Sequence, residues 1–156
     1  FEDVIPVTGA TPFASVDIDA SVPAIGLYGS LAPFYEGTIT GTAIDGTDTV
    51  AYFTEGRPVE GSKSHTLDWM GAEWRFANAE HKALFEANPE KYAPQYGGYC
   101  AYAVSQNQTA SIKPELFTIV DGKLYLNYNE SINDKWRADK ENFIVAADKN
   151  WPGLVD

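Results

Sequence analysis

With 156 residues, 44% of them apolar, the chain is long enough to close one sizeable core, and domains of about 100 to 150 residues are the commonest size. Eleven basic side chains against 22 acidic ones leave a formal net charge of −11, which repels phosphate backbones and anionic lipid headgroups and excludes nucleic acid as an expected partner. The single cysteine, Cys100, rules out an intramolecular disulfide, and no apolar run approaches the ~20 residues that a membrane span requires.

Residues 1–40 read as an extended N-terminal arm and 41–156 as the folded domain. Pro6, Pro12, Pro23 and Pro33 interrupt any helical or strand period in the arm. Val4, Ile5, Phe13, Ile25, Leu27 and Tyr28 nevertheless supply apolar surface, so the arm is expected to lie against the body. A chain that begins at Phe1 rather than methionine fits a processed, exported protein, and a periplasmic or secreted location is the expectation.

Residues 37–46 suggest a short strand and turn, and 49–53 form an apolar run ending at Glu55-Gly56. The stretch 62–69 alternates into Met70-Gly71, and 72–76 returns, the pattern of a hairpin. Asn78 can cap a helix carrying Ala79, Ala83 and Leu84, which Asn88-Pro89 stops. A loop follows over 94–98, and 99–105 fits either a short helix or a buried strand. The second hairpin, 117–126, is the clearest element, because Asp121-Gly122 suits the positive φ angles of a two-residue turn. Ser131 with Asp134 resembles a capping box, and Ile132, Trp136, Phe143, Ala147 and Trp151 keep a helical period as far as Pro152, with both tryptophans expected inside. The architecture expected is therefore α+β: a small antiparallel sheet of hairpins packed with a few helices, preceded by the arm.

Four Trp, nine Tyr and eight Phe make the chain rich in rings. Tyr52, Trp74, Tyr92, Tyr96, Tyr99 and Tyr102 can line an apolar pocket edged with hydroxyls, the composition of a small-molecule site, although an aromatic core spread over three elements is the reading their residue types favour. Cys100 lies among tyrosines after Gly97-Gly98, where glycine lets the backbone approach another element or a ligand closely. Its thiol is either an inert buried group or a nucleophile activated by His81. The carboxylates of Asp45 and Asp48 fall in turn sequence, where Asp bonds its own backbone. Phosphate loops, nucleophile elbows and His-Glu-x-x-His motifs are missing from the sequence.

Five stretches, Thr49-Val-Ala-Tyr-Phe-Thr-Glu-Gly56, Trp74-Arg-Phe-Ala-Asn-Ala-Glu-His81, Phe85, the run 89–104 with Gly-Gly-Tyr-Cys-Ala at its centre, and Asp121-Gly-Lys-Leu-Tyr-Leu-Asn-Tyr128, resemble a secreted YHS-domain protein over about 41–153. That family is associated with metal handling, including domains attached to copper transporters, and its shorter members carry three cysteines. Residue by residue these fall here on Ala51, Ala77 and His81, and Thr49 stands where proline is expected. Thiolates are what select copper and zinc, so the resemblance implies at most a copper or zinc ion held weakly by His81 with Cys100. The function expected is that of an exported, non-enzymatic binding or accessory protein for a metal ion or a small molecule, with Tyr52, Trp74, Tyr96, Tyr99, Cys100 and Tyr102 as ligand residues. Two alternatives stand beside it: a cysteine-dependent or redox enzyme using Cys100 with His81, and a structural partner-binding module.

Overall fold

A computed structural model describes residues 41–155; the arm over 1–40 lies outside them. The expected α+β class is what forms, although the four strands make two separate two-stranded antiparallel sheets rather than one. The elements are α1 (Ala51–Thr54), β1 (Ser62–Trp69), β2 (Ala72–Phe76), α2 (Ala79–Ala87), α3 (Pro89–Tyr92), α4 (Ala101–Ser105), β3 (Phe117–Val120), β4 (Lys123–Leu126), α5 (Glu130–Ala138) and α6 (Lys140–Val155), with one-turn 3₁₀ segments at Ala43–Gly46 and Gln95–Gly98.

Both hairpins turn through a left-handed pair, Met70 and Gly71 at φ 53° and 83°, Asp121 and Gly122 at 52° and 75°. This is the geometry that matches the right-handed twist of flanking strands. The β1–β2 register jumps between Ser62 and Thr66, a bulge. Beside it, a Cβ on Gly61 would sit 2.6 Å from the backbone of Arg75, so no other residue fits there without a shift. The apolar run at 49–53 becomes a single helical turn, and 99–105 resolves into the short helix α4.

Asn78 caps α2, its side chain accepting from the His81 N–H at 2.8 Å. The capping box expected at Ser131 does not form. Asn129 is the cap of α5, accepting from the Ile132 N–H at 2.8 Å, because Asn129 is extended while Ser131 already lies in the first turn. The single helical period expected from 131 to 151 is broken at Asp139, whose φ of −146° is not helical. The helix also runs through Pro152 to Val155 instead of stopping there, at the cost of the one backbone donor that proline lacks.

The core joins both sheets to the helices. Trp74 and Phe85 stack with ring centroids 5.0 Å apart, Tyr125 and Trp136 lie at 5.3 Å, and Tyr102 meets Phe143 edge-on at 5.1 Å. Asn150 of α6 donates to the Val104 and Ser105 carbonyls at 3.0 and 3.2 Å, pinning α6 across the end of α4. Trp136 is fully buried, as expected, and its indole N–H has no hydrogen-bond partner among the described residues. Trp151 is only partly buried, because α6 presents it at the edge of an open cleft.

Candidate functional site

Five of the six residues named from sequence as ligand contacts form the interior rather than a surface. Tyr52, Trp74, Tyr99, Cys100 and Tyr102 are each at most 1% exposed. Tyr52 donates its hydroxyl to the Pro114 carbonyl at 2.7 Å, and Trp74 donates its indole N–H to the Trp69 carbonyl at 3.1 Å. Burial raises the Tyr52 hydroxyl above its usual pKa, with the charge of Glu115 adding to the effect.

Tyr96, the sixth, lines a cleft. This cleft of about 590 Å³ opens between the tip of the first hairpin, the 93–97 loop and the end of α6; Trp69, Tyr96 and Trp151 supply rings to its wall, Glu90 and Asp148 carboxylates and Lys123 an ammonium. Tyr96 donates its hydroxyl to Asp148 Oδ1 at 2.8 Å, and its ring lies 6.1 Å from that of Trp151. Burial, followed by that bond and by the charge of Asp148, pushes the Tyr96 hydroxyl well above the usual tyrosine range. Two wall residues with side chains, Met70 and Tyr96, hold positive φ angles of 53° and 58°. At Met70 this is the hairpin turn, whereas at Tyr96 a bulky residue holds a left-handed backbone that costs energy.

Cys100 is completely buried. Its thiol donates to Asn127 Oδ1 at 3.5 Å, and the same oxygen accepts from the Tyr102 N–H at 3.1 Å. Asn127 completes the set by donating through Nδ2 to Asn133 Oδ1 at 3.1 Å. Burial pushes the thiol up to about 12, outweighing the backbone hydrogen bonds from Ala103, Tyr128 and Tyr102 that lower it. A thiol with that acidity is almost wholly protonated at neutral pH.

His81 is held by different partners. Asp48, fully buried, accepts from the Val50 and Ala51 N–H groups through Oδ1 at 2.9 and 3.2 Å, and from the Ala77 N–H through Oδ2 at 2.8 Å. The same Oδ2 stands 2.6 Å from His81 Nδ1. With a carboxylate as its partner Nδ1 is the donor, and in the neutral ring Nε2 is then the acceptor. Nε2 points outward, 3.3 Å from the hydroxyl of exposed Thr54 and 3.9 Å from Glu55 Oε2. No group of three or more His, Cys, Asp or Glu side chains among the described residues is arranged to hold a metal ion.

Sequence reasoning missed Trp69, Trp151 and Asp148 as cleft residues, and Asp48, Thr54 and Asn127 as polar partners. The i, i+3 pair Asp148 and Trp151 on one helix face was a usable signal, since such residues are neighbours on a helix surface. Asp48 carried none that reached His81, because the two are 33 positions apart.

Among the described residues no helix is long and apolar enough to cross a membrane. No family model, no curated protein and no solved structure matches the chain.

Proposed function

We propose that the chain is an exported, non-enzymatic binding or accessory protein of YHS-like type, which takes a small organic molecule in the cleft between Trp69, Tyr96 and Trp151. The observation that carries this reading is the cleft itself: about 590 Å³ of open space walled by three rings, two carboxylates and one ammonium. Small-molecule sites span about 300 to 1,000 Å³ and combine aromatic walls with a few polar groups. A ligand with a flat apolar face and polar edges suits these walls, the face against the indoles and the edges toward Asp148, Glu90 and Lys123.

Of the two ligand classes, the small molecule is favoured over the metal ion, since neither His81 nor Cys100 lines the cleft. The rival enzyme reading needs a thiolate near neutrality, and burial of Cys100 works against it.

Native mass spectrometry of tag-free protein tests the proposal, with Trp151→Ala purified in parallel. The wild type is expected to carry a non-covalent small-molecule mass that the variant loses. A wild type without added mass, whose tryptophan fluorescence no member of a small-molecule library changes, would sink it.

A further inference from the structure

We infer that Thr54 is a covalent acyl-acceptor site, its hydroxyl activated by His81 and His81 oriented by Asp48. The site is separate from the cleft, whose walls include none of the three residues, so the inference stands or falls independently of the binding reading.

The arrangement is a relay from a buried carboxylate to a surface hydroxyl: Asp48 Oδ2 to His81 Nδ1 at 2.6 Å, then His81 Nε2 to Thr54 Oγ1 at 3.3 Å. A nucleophile within reach of a base that a third group orients is the arrangement that activates a hydroxyl. Each member has the exposure its role needs. Asp48 is 0% and His81 6% exposed, whereas Thr54 faces solvent. A purely structural role for Asp48 is already met by its three backbone N–H donors at Val50, Ala51 and Ala77, which tie α1 to the end of β2. The imidazole adds something those bonds do not: an acceptor nitrogen carried out to a side-chain hydroxyl at the surface. The Thr54 hydroxyl also lies 3.4 Å from the Val50 carbonyl, against 3.3 Å from His81 Nε2, so the two acceptors compete for its proton and rotation about its χ1 decides between them.

Carboxylates flank the ring on both sides. Asp48 lies at Nδ1, and Glu55, itself paired with Arg57 at 2.9 Å, lies 3.9 Å from Nε2.

The donor class is an activated ester or thioester. Thr54 Oγ1 bonds to the acyl carbon while its proton passes to His81 Nε2, and the C–O or C–S bond to the leaving group breaks. The leaving group departs with the electron pair and takes the proton from His81. The product is one O-acyl threonine per chain, formed stoichiometrically, and Asp48 acts only by positioning.

The probe is p-nitrophenyl acetate, read by intact mass and by peptide mapping. In the wild type, acetylation is expected at Thr54 at least about tenfold faster than at any other threonine in the same digest. That preference should persist in Thr54→Ser, disappear in Thr54→Val, and fall at least about tenfold in His81→Gln that keeps the native near-ultraviolet circular dichroism. Label confined to lysines and the N-terminus, or no preference for Thr54 over other threonines in the wild type, overturns the inference whatever the variants do. Undiminished Thr54 labelling in folded His81→Gln overturns it as well.

Discussion

Asp48 and Asn127 are both polar side chains with no exposure, each the hub of a set of hydrogen bonds, yet they end in different places. The Asn127 set closes on itself. Its oxygen serves Cys100 and Tyr102, its amide serves Asn133, and its backbone bonds those of Lys113 and Leu116. The Asp48 set is charged and open-ended, running from three backbone donors through His81 to an exposed hydroxyl. A neutral amide surrounded by partners can only hold elements together. A buried carboxylate with an imidazole leading outward can also influence chemistry at the surface.

The contrast is broken or sharpened first by removing the charge. Asp48→Ala strands three N–H groups and the His81 ring, and buried donors left unsatisfied cost about 1 to 3 kcal/mol each, so a loss of about 4 kcal/mol or more is expected in urea unfolding. Such a loss consumes much of the 5 to 15 kcal/mol typical of a domain, roughly speaking. Asn127→Ala should cost less, about 3 kcal/mol, since its partners are neutral. Equal or reversed costs would show that charge does not separate the two hubs.

Cys100→Ala comes next, at about 1 kcal/mol, because the lost volume is small and the Asn127 oxygen keeps its bond from Tyr102. A thiol reagent should label the native wild type only as fast as the protein opens, whereas labelling at the rate of a free thiol would mean that the Asn127 hub is not closed.

Alkaline pH probes the same hub from the proton side. The folded thiol ionises near 12 against 9.0 for an ordinary one. The folded state therefore holds its proton where the unfolded state has lost it. Stability is fully present below about pH 9 and falls as pH rises toward 12. Tyr125, also raised to about 12 by burial and by the charges of Asp148 and Asp121, adds to the fall above pH 10. The decline should be shallower in Cys100→Ala, and an unchanged slope would remove the thiol from the account.

The smallest expected effect is at the surface end of the open hub. Thr54→Val should change stability by no more than about 0.5 kcal/mol, since exposed substitutions away from special features are near neutral. A larger loss would mean that Thr54 serves the fold and not its surface.

Some of this was legible from neighbouring residues alone. Met70-Gly71 and Asp121-Gly122 announced two hairpins because tight turns need positive φ at adjacent positions. Asn78 announced the start of α2 because an orphan N–H group three residues on needs an acceptor. The same reasoning pointed to Ser131 for α5, where Asn129 is the cap, since both residue types cap and the extended backbone at Asn129 is what separates them. It also carried one helical period across Asp139, because the apolar spacing continues where the backbone does not.

Sequence by itself determined the hairpins, the Asn78 cap and the α+β class, and it left open whether the tyrosines and Trp74 line a pocket or fill a core. Only the tertiary structure decided that Cys100 belongs with Asn127, 27 positions away, and His81 with Asp48, 33 positions away. It also decided that Tyr96 meets Trp69 and Trp151 at a cleft while the other named tyrosines are enclosed. The physical reason is range. Turns, caps and periodicity are settled by forces between residues a few positions apart, whereas the partner of a buried polar group depends on how whole elements pack, and residue spacing carries no record of that.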